Sequence, residues 1–277
     1  MRRGELFRFP FLGGICIVGR TMNLPRCSGL LVLCLGVAAP ALRAETPVIP
    51  DWARPGSATH QQVPPPAGFH RPTVNFASPL GLFEGQSDIG GPLLTGSAGY
   101  DAVTKRYTLT SASYNIWYFR DEFRYVWKKM SGDVSLAADV IFPKPEGYDD
   151  RKAVLVIRQD LDDNAKEVMT ALHGAGLIHL AFRPEKGADI KEACKVKGAA
   201  SGPGEPAIRI GIEKHGDTFT LFFSQKGEPL HAVGETATLH LDGPFYVGLG
   251  FCSHEPDKAD TTVLANVVLT SSAGQVR

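Results

Sequence analysis

Seven side chains of this sequence are suited to binding another molecule. They are Trp117, Arg124, Lys128, Arg158, His173, His179 and Arg183. Arginine favours forked recognition of carboxylate, phosphate or sulfate, and each charge-assisted hydrogen bond contributes about 1.5–3 kcal/mol. We therefore predict binding of an acidic glycan or another anionic polymer. Alternatively, the basic groups form ion pairs with nearby carboxylates on a solvated sheet face, where each pair contributes only ~0–1 kcal/mol. The carboxylates available for such pairs are those of Asp121, Glu122, Asp160, Asp162, Asp163 and Glu167.

Short strands must position these side chains, and successive residues of a strand point to opposite faces. In the segment 123–129, the alternation separates Phe123, Tyr125 and Trp127 from Arg124 and Lys128. We expect the three aromatic rings in the core, since each buries a large apolar area. The same alternation in segments 153–159, 167–173 and 177–183 predicts that one open sheet face gathers the basic residues Arg124, Lys128, Arg158, His173, His179 and Arg183. Trp117 could join them by stacking on a sugar ring.

The sequence contains no recognisable catalytic signature. It lacks the E-x-D-x-x-E strand that places two carboxylates about 5–5.5 Å apart in a retaining glycosidase, and it lacks a G-x-S-x-G elbow. His173, His179 or His254 beside an aspartate could act as a general base. We assign no catalytic residue.

Metal ligands are equally sparse. Asp160–Asn164 offers oxygen ligands that could hold calcium, although the loop lacks the glycine and distal glutamate of an EF-hand. We assign no metal site and no cofactor. Cys194 and Cys252 form an even pair that could make a disulfide in an oxidising compartment.

The first 44 residues have the pattern of an export signal. An arginine precedes the apolar run Gly29–Ala39, which is followed by small residues at positions 39, 41 and 44. We predict a signal peptide over residues 1–44 with Met22 as the natural start, a Pro-rich leader over 45–73 and one domain over 74–277. Residues 45–277 carry 23 basic and 28 acidic side chains. This mild excess of acid argues against a nucleic-acid binder and against attraction to anionic membranes.

The rest of the chain has an all-β pattern. We predict twelve short strands between Arg106 and Leu269, separated by glycine-rich turns such as Ser131-Gly132 and His215-Gly216-Asp217. Many short strands without an internal repeat are typical of a β-sandwich or barrel and disfavour a propeller. About 200 such residues fit a single jelly roll.

Several motifs together resemble a known bacterial domain. They are Y-D-x-x-T-x-x-Y-T-L from Tyr100, N-I-W from Asn115, F-R-Y-V-W-K-K-M-S-G-D from Phe123, V-L-V-I-R-Q-D-L-D-D-N-A-K from Val154, L-H-G-A-G-L-I-H-L-A-F-R-P from Leu172 and F-Y-V-G-L-G-F-C-S-H from Phe245. As a set they resemble a domain of uncharacterised function, with a concanavalin A-like lectin/glucanase jelly roll, that is found appended to TolB-like propellers. The resemblance covers roughly Pro79–Leu269 and implies a concanavalin A-like jelly-roll β-sandwich and a carbohydrate ligand. It implies no reaction.

The sequence thus predicts a periplasmic or extracellular binding module for a glycan or other anionic polymer, without catalytic activity and without a membrane segment once the signal is removed. One alternative is a glycan-active hydrolase that uses the same sheet face. Another is a structural or interaction protein of the cell envelope, whose protein partner the sequence does not identify.

Overall fold

β-Strands make up the regular structure of the described chain. The computed structural model describes residues 53, 64–66, 69–198, 207–225 and 227–276. The predicted signal peptide, with its start at Met22, and most of the leader lie outside the described residues. Within the described part, the regular elements are the strands β1 Val74–Phe76, β2 Gly85–Ile89, β3 Leu94–Asp101, β4 Arg106–Ala112, β5 Ile116–Trp117, β6 Arg120–Asp121, β7 Phe123–Met130, β8 Val134–Ile141, β9 Lys152–Arg158, β10 Glu167–His173, β11 Leu177–Arg183, β12 Lys191–Lys197, β13 Ile208–His215, β14 Thr218–Ser224, β15 His231–Thr238, β16 Phe245–Cys252 and β17 Asp260–Thr270.

The strands form two large antiparallel sheets and one small hairpin. Sheet I has the order β1-β2-β7-β16-β9-β10-β11-β12, and sheet II has the order β15-β14-β13-β8-β17-β4-β3. Strands β5 and β6 pair only with each other. Consecutive strands pair in β9–β12 and β13–β15, whereas β7 pairs with β16 and β8 pairs with β17 over long stretches of sequence, so the two sheets are built from interleaved parts of the chain. The prediction of an all-β, concanavalin A-like jelly-roll β-sandwich is confirmed.

The core lies between the two sheets and follows the predicted alternation. Val126, Leu155 and Leu180 of sheet I are fully buried against sheet II residues such as Leu136 and Ile212. Each buried aliphatic side chain of this size contributes about 1.5–3 kcal/mol through the removal of apolar surface from water. The inner face of sheet I is therefore the face that contains Val126.

The outer face of sheet I is buried as well, which the sequence did not predict. A second apolar cluster on this face contains Phe123, Tyr125, Val154 and Met169. Gly250 of the neighbouring strand makes room for it, because a Cβ there would lie 2.7 Å from the Phe123 ring. Phe123 and Tyr125 are thus in a core, as expected, but in the outer one, and Trp127 packs half-buried against its edge.

This arrangement corrects the predicted parity of β7. Arg124 and Lys128 share the inward parity of Val126, whereas Arg158, His173, His179 and Arg183 share the face of Tyr125. The prediction that all six basic residues gather on one face is therefore wrong. The reason is that a sheet buried on both faces has apolar residues at both parities, so that alternation alone does not identify the core.

Some strands differ from those predicted. The sequence prediction missed β1, β2, β3 and β12, in which small, polar and charged residues predominate. It placed β15 too late, at 237–241, and it placed a single strand where the β5–β6 hairpin stands. Tyr118 turns this hairpin with a left-handed backbone, at φ 55°. Over the described residues, the structure contains no helical segment with the length and hydropathy of a membrane span.

Candidate functional site

Three zones follow one another along the outer face of sheet I. At one end, Arg158, Glu167 and Arg183 are direct cross-strand neighbours on β9, β10 and β11. The middle is apolar and belongs to the second cluster. At the other end, Lys152 of β9 is paired with His173 of β10. The polar side chains thus occupy the two ends of the face and are separated by an apolar centre.

The arginines of the first zone form a buried charge cluster with Asp121. The Asp121 carboxylate accepts hydrogen bonds from Arg183 Nη2 at 2.6 Å and Nη1 at 2.8 Å, and from Arg158 Nη2 at 3.3 Å. Glu167 lies between the arginines, with carboxylate oxygens 3.5 Å from Nη1 of each. All four side chains are fully buried. Burial, together with the nearby Asp121, raises the pKa of Glu167 to about 7.

The cluster decides between the two readings of the basic residues. The guanidinium groups of Arg158 and Arg183 pair with carboxylates, as the alternative proposed, although in the protein interior and not on a solvated face. Neither side chain is open to a ligand. The expected open cationic face is therefore wrong, because Asp121 comes from a segment of chain that covers the sheet.

Arg124 and Lys128 are separated from these residues and from each other. Arg124 Nη1 donates to Asp88 Oδ1 at 3.1 Å, and its Nη2 bonds Gln86. Its guanidinium also lies 4.6 Å from the centre of the Phe76 ring and is 3% exposed. Lys128 is half-buried beside Met130 at one end of the sandwich. A ligand-binding role for these two residues stays a prediction, and the geometry does not bring them to the histidines.

A short covering segment, residues 114–122, lies across the outer face of sheet I. Asp121 anchors one end to the two arginines, while Ile116 is fully buried in the second cluster. At the other end, Lys152 Nζ donates to Asn115 Oδ1 at 2.8 Å. The side chain of Trp117 is carried by this segment. Its position therefore follows from contacts at both ends of the segment.

The end of the leader contacts the covering segment. Arg71 forms an ion pair with Glu122, and His70 Nδ1 lies 2.9 Å from Asp163, which also accepts from Arg120 at 2.8 Å. Residues 69–73 thus behave as a strap in contact with the domain. The boundary between leader and domain at residue 73 stays a prediction.

A cavity of about 220 Å³ opens where the covering segment meets the second polar zone. We call it the histidine pocket. Its walls come from the covering segment, from strands β9 to β12 of sheet I and from the loops before β9 and after β16. The lining residues are Asn115, Trp117, Tyr118, Asp150, Lys152, His173, Leu177, His179, Glu192 and His254. Three of the predicted binding residues, Trp117, His173 and His179, therefore lie together.

The aromatic rings of the histidine pocket are in mutual contact. The Trp117 and His179 rings are stacked, with centroids 5.4 Å apart and planes at 19°. The His173 ring meets His179 edge to face at 5.0 Å. These contacts fix the ring planes, so the imidazole edges have defined directions.

Both histidines are buried and incompletely hydrogen-bonded within the described protein. Within the described residues, both ring nitrogens of His173 lack a hydrogen-bond partner, and so does Nε2 of His179. Asp150 Oδ1 lies 3.6 Å from His173 Nδ1, and Glu192 Oε2 lies 3.6 Å from His179 Nδ1. These separations are longer than a good hydrogen bond. A buried polar group without a partner costs about 1–3 kcal/mol, which a ligand that bonds to it can recover.

Burial keeps the imidazoles neutral. It lowers the pKa of His173 to about 3 and also lowers the pKa of His179, despite the nearby carboxylates. Burial likewise lowers the pKa of Lys152. The neighbouring His179 and Lys195 hold the pKa of Glu192 at about 2. Each neutral imidazole therefore presents one donor and one acceptor.

Backbone strain is concentrated at this pocket. Of the four non-glycine residues with positive φ in the described chain, Tyr118 (φ 55°) and His254 (φ 69°) line it. His254 is also stacked on Tyr148, with ring centroids 5.3 Å apart. Left-handed backbone is unfavourable at residues other than glycine, and strained residues of this kind cluster at functional sites as well as in turns. This observation marks the histidine pocket independently of its polar groups.

The possible calcium loop has its carboxylates engaged by cations. Lys186 Nζ lies 3.1 Å from Asp160 and pairs with Asp162, while Asp163 binds Arg120 and His70. No group of three or more His, Cys, Asp or Glu side chains within the described residues is arranged to hold a metal ion. Calcium binding at this loop stays an untested prediction.

Six residues of the pocket were not found as candidates from the sequence. Strand register and loop placement bring in Asn115, Tyr118, Asp150, Lys152, Leu177 and Glu192. The sequence did single out His254 as a possible base, and the structure places it in the same wall. The two described cysteines, Cys194 and Cys252, are free.

The fold and the pocket together define a class: a concanavalin A-like β-sandwich with a small polar cavity on the outer face of a sheet. No family model matches the chain. No curated protein matches it either. The resemblance to the propeller-associated domain thus stays a prediction.

Solved structures with similar folds were found at low identity. One is the carbohydrate-binding module CBM66 from Bacillus subtilis, with 16% identity, a TM-score of 0.44, and coverage of 64% of this chain and 92% of the module. A second is a xylan β-1,4-xylosidase from Bacillus halodurans, with 14% identity, a TM-score of 0.47, and coverage of 67% of this chain and 38% of the enzyme. The exoplasmic/lumenal domain of VIP36 has 10% identity, a TM-score of 0.41, and coverage of 65% and 86%. At these values, the function must be argued from the histidine pocket.

Proposed function

We propose that this protein is an exported glycan-binding module without catalytic activity and that the histidine pocket is its binding site. One observation carries the proposal. His173 and His179 are buried, neutral and incompletely hydrogen-bonded, and their rings line an open cavity beside a half-buried tryptophan. Sugars present the complementary surface, since their hydroxyl groups both donate and accept hydrogen bonds and their C–H faces are apolar.

The proposed site differs from the one expected from sequence. Trp117, His173 and His179 are retained, and the buried and paired Arg124, Arg158 and Arg183 are not. Export to the periplasm or the extracellular space is supported by the signal pattern in residues 1–44. A glycan ligand is consistent with that compartment.

A glycan array followed by isothermal titration calorimetry tests the proposal. We expect the protein to bind a glycan and Trp117→Ala or His179→Ala to weaken binding at least tenfold, which is about 1.4 kcal/mol. Tyr246→Ala is the matched control for the tryptophan, because Tyr246 is a half-buried aromatic residue on the same sheet face outside the pocket. His231→Ala is an exposed control for the histidine. Circular dichroism establishes that each variant is folded.

Two outcomes would contradict the proposal. One is that the protein binds no glycan on the array. The other is that folded Trp117→Ala and His179→Ala variants bind as tightly as the unchanged protein.

A glycan-active hydrolase is the second candidate. The observation in its favour is that each buried histidine has a carboxylate at 3.6 Å, as a general base and its orienting partner would. Against it, a His173 pKa of about 3 is far from the neutral range in which an efficient base operates. Release of reducing sugar from a bound glycan, abolished in His179→Ala, would identify the enzyme.

A further inference from the structure

The charges of the histidine pocket restrict its ligand further. Among the residues described as lining it, Lys152 carries the one positive charge, and Asp150 and Glu192 carry two negative charges. The histidines add none, because burial keeps both imidazoles neutral. The groups that line the pocket are therefore net negative, with Lys195 outside the lining paired to Glu192, in contrast to the cationic surface that was expected from the sequence.

The nearby cations already have partners. Lys152 Nζ donates to Asn115 Oδ1 at 2.8 Å, and Lys195 Nζ lies 2.9 Å from Glu192 Oε1. The buried Arg151, which precedes Lys152, donates to Asp260 at 2.7 Å. A carboxylate or sulfate on the ligand would thus enter a partly desolvated cavity with two carboxylates on its wall and without an arginine to pair with it.

The size of the cavity limits how much of a ligand it can hold. Pockets for drug-sized ligands are usually about 300–1,000 Å³, whereas the histidine pocket measures about 220 Å³. This is enough for one sugar ring and not for several. The hydrogen-bonding groups fit the hydroxyls of such a ring: neutral imidazole edges that donate or accept, and carboxylates that accept.

We infer that the histidine pocket binds one uncharged sugar ring and discriminates against sugars that carry a carboxylate or a sulfate. This inference rests on the proposed glycan-binding function and names its ligand class. Asp150 and Glu192 are the residues that determine specificity: they accept hydrogen bonds from a neutral sugar and repel an anionic one.

Matched pairs of sugars provide the test. Binding of glucose is compared with that of glucuronate, galactose with galacturonate, and mannose with mannuronate, by saturation-transfer NMR and by calorimetry. For whichever neutral sugar binds, we expect its uronate to bind at least tenfold more weakly. In the Asp150→Asn/Glu192→Gln double variant, the ratio of the dissociation constant of the uronate to that of the neutral sugar should fall towards one. Glu228→Gln, an exposed substitution in the loop between β14 and β15 of sheet II, should leave the ratio unchanged.

The outcomes separate this inference from the proposed function. A uronate or a sulfated glycan that binds as tightly as its neutral analogue overturns the inference, while the pocket remains a glycan site if Trp117→Ala still abolishes binding. If the double variant and the unchanged protein discriminate equally between a neutral sugar and its uronate, Asp150 and Glu192 do not determine the specificity. If no sugar of either kind binds, the proposed function itself fails.

Discussion

The neutral, buried state of His173 has a consequence for acid stability. In the unfolded chain this side chain has its ordinary pKa of 6.5, whereas in the folded protein burial lowers the pKa to about 3. Between these values the unfolded state binds a proton that the folded state does not. Stability therefore falls as pH is lowered from about 6.5 towards 3, because protonation favours the unfolded chain.

The size of the effect follows from the same two pKa values. Lowering the pH from 7 to 5 should cost about 2 kcal/mol of the free energy of unfolding through His173 alone. His179 contributes in the same direction. Glu167 contributes in the opposite direction, since its pKa is raised to about 7 and the folded state gains a proton as the pH falls. The total pH dependence therefore does not isolate His173, but a comparison with a variant does.

Urea unfolding of the unchanged protein and of His173→Gln, at pH 7 and pH 5, measures this term. Between pH 7 and pH 5, we expect the free energy of unfolding to fall by about 2 kcal/mol more in the unchanged protein than in the variant. The difference isolates His173, because the other titrating groups are common to both proteins. His231→Gln, which removes an exposed histidine of β15, serves as control and should behave like the unchanged protein. Equal pH dependence in His173→Gln and the unchanged protein would refute the neutral, desolvated state of His173.

Three further predictions concern the outer face of sheet I. Asp121→Ala leaves Arg158 and Arg183 buried with too little compensating charge and should cost about 3–5 kcal/mol in urea unfolding. Gly250→Ala places a Cβ 2.7 Å from the Phe123 ring and should cost about 1–3 kcal/mol, whereas Gly99→Ala, with nothing within 4 Å, should change stability by less than about 0.5 kcal/mol. Cys252 is buried and its pKa is raised to about 11, so it should react with iodoacetamide only after unfolding; mass spectrometry of the native protein would detect any earlier modification.

The fold could be predicted because one face of each central strand is continuously apolar. Leu155 and Ile157, or Ile178 and Leu180, stand two residues apart and pack in the core that alternation predicts. Strands such as β3 and β12 escaped prediction because their residues are mostly exposed and owe their conformation to backbone pairing with β4 and β11.

The candidate site could be predicted only in part. Arg158, Glu167 and Arg183 lie on consecutive strands, and only the register shows that they are side by side. Asp121, which completes the charge cluster, comes from a hairpin whose place over the sheet depends on tertiary packing. Residue type drew attention to His173, which lines the pocket together with Trp117 and His179, but it could not reveal that the arginines are buried.

The covering segment keeps its anchoring residues apart from the residues of the proposed binding site. Asp121 and Asn115 hold the segment on the sheet, and the stretch between them carries Trp117 and the turn at Tyr118. The residues of the proposed site can therefore vary while the residues that fix the segment stay the same. Exchange of residues 117–119 offers a route to new specificities on an unchanged framework.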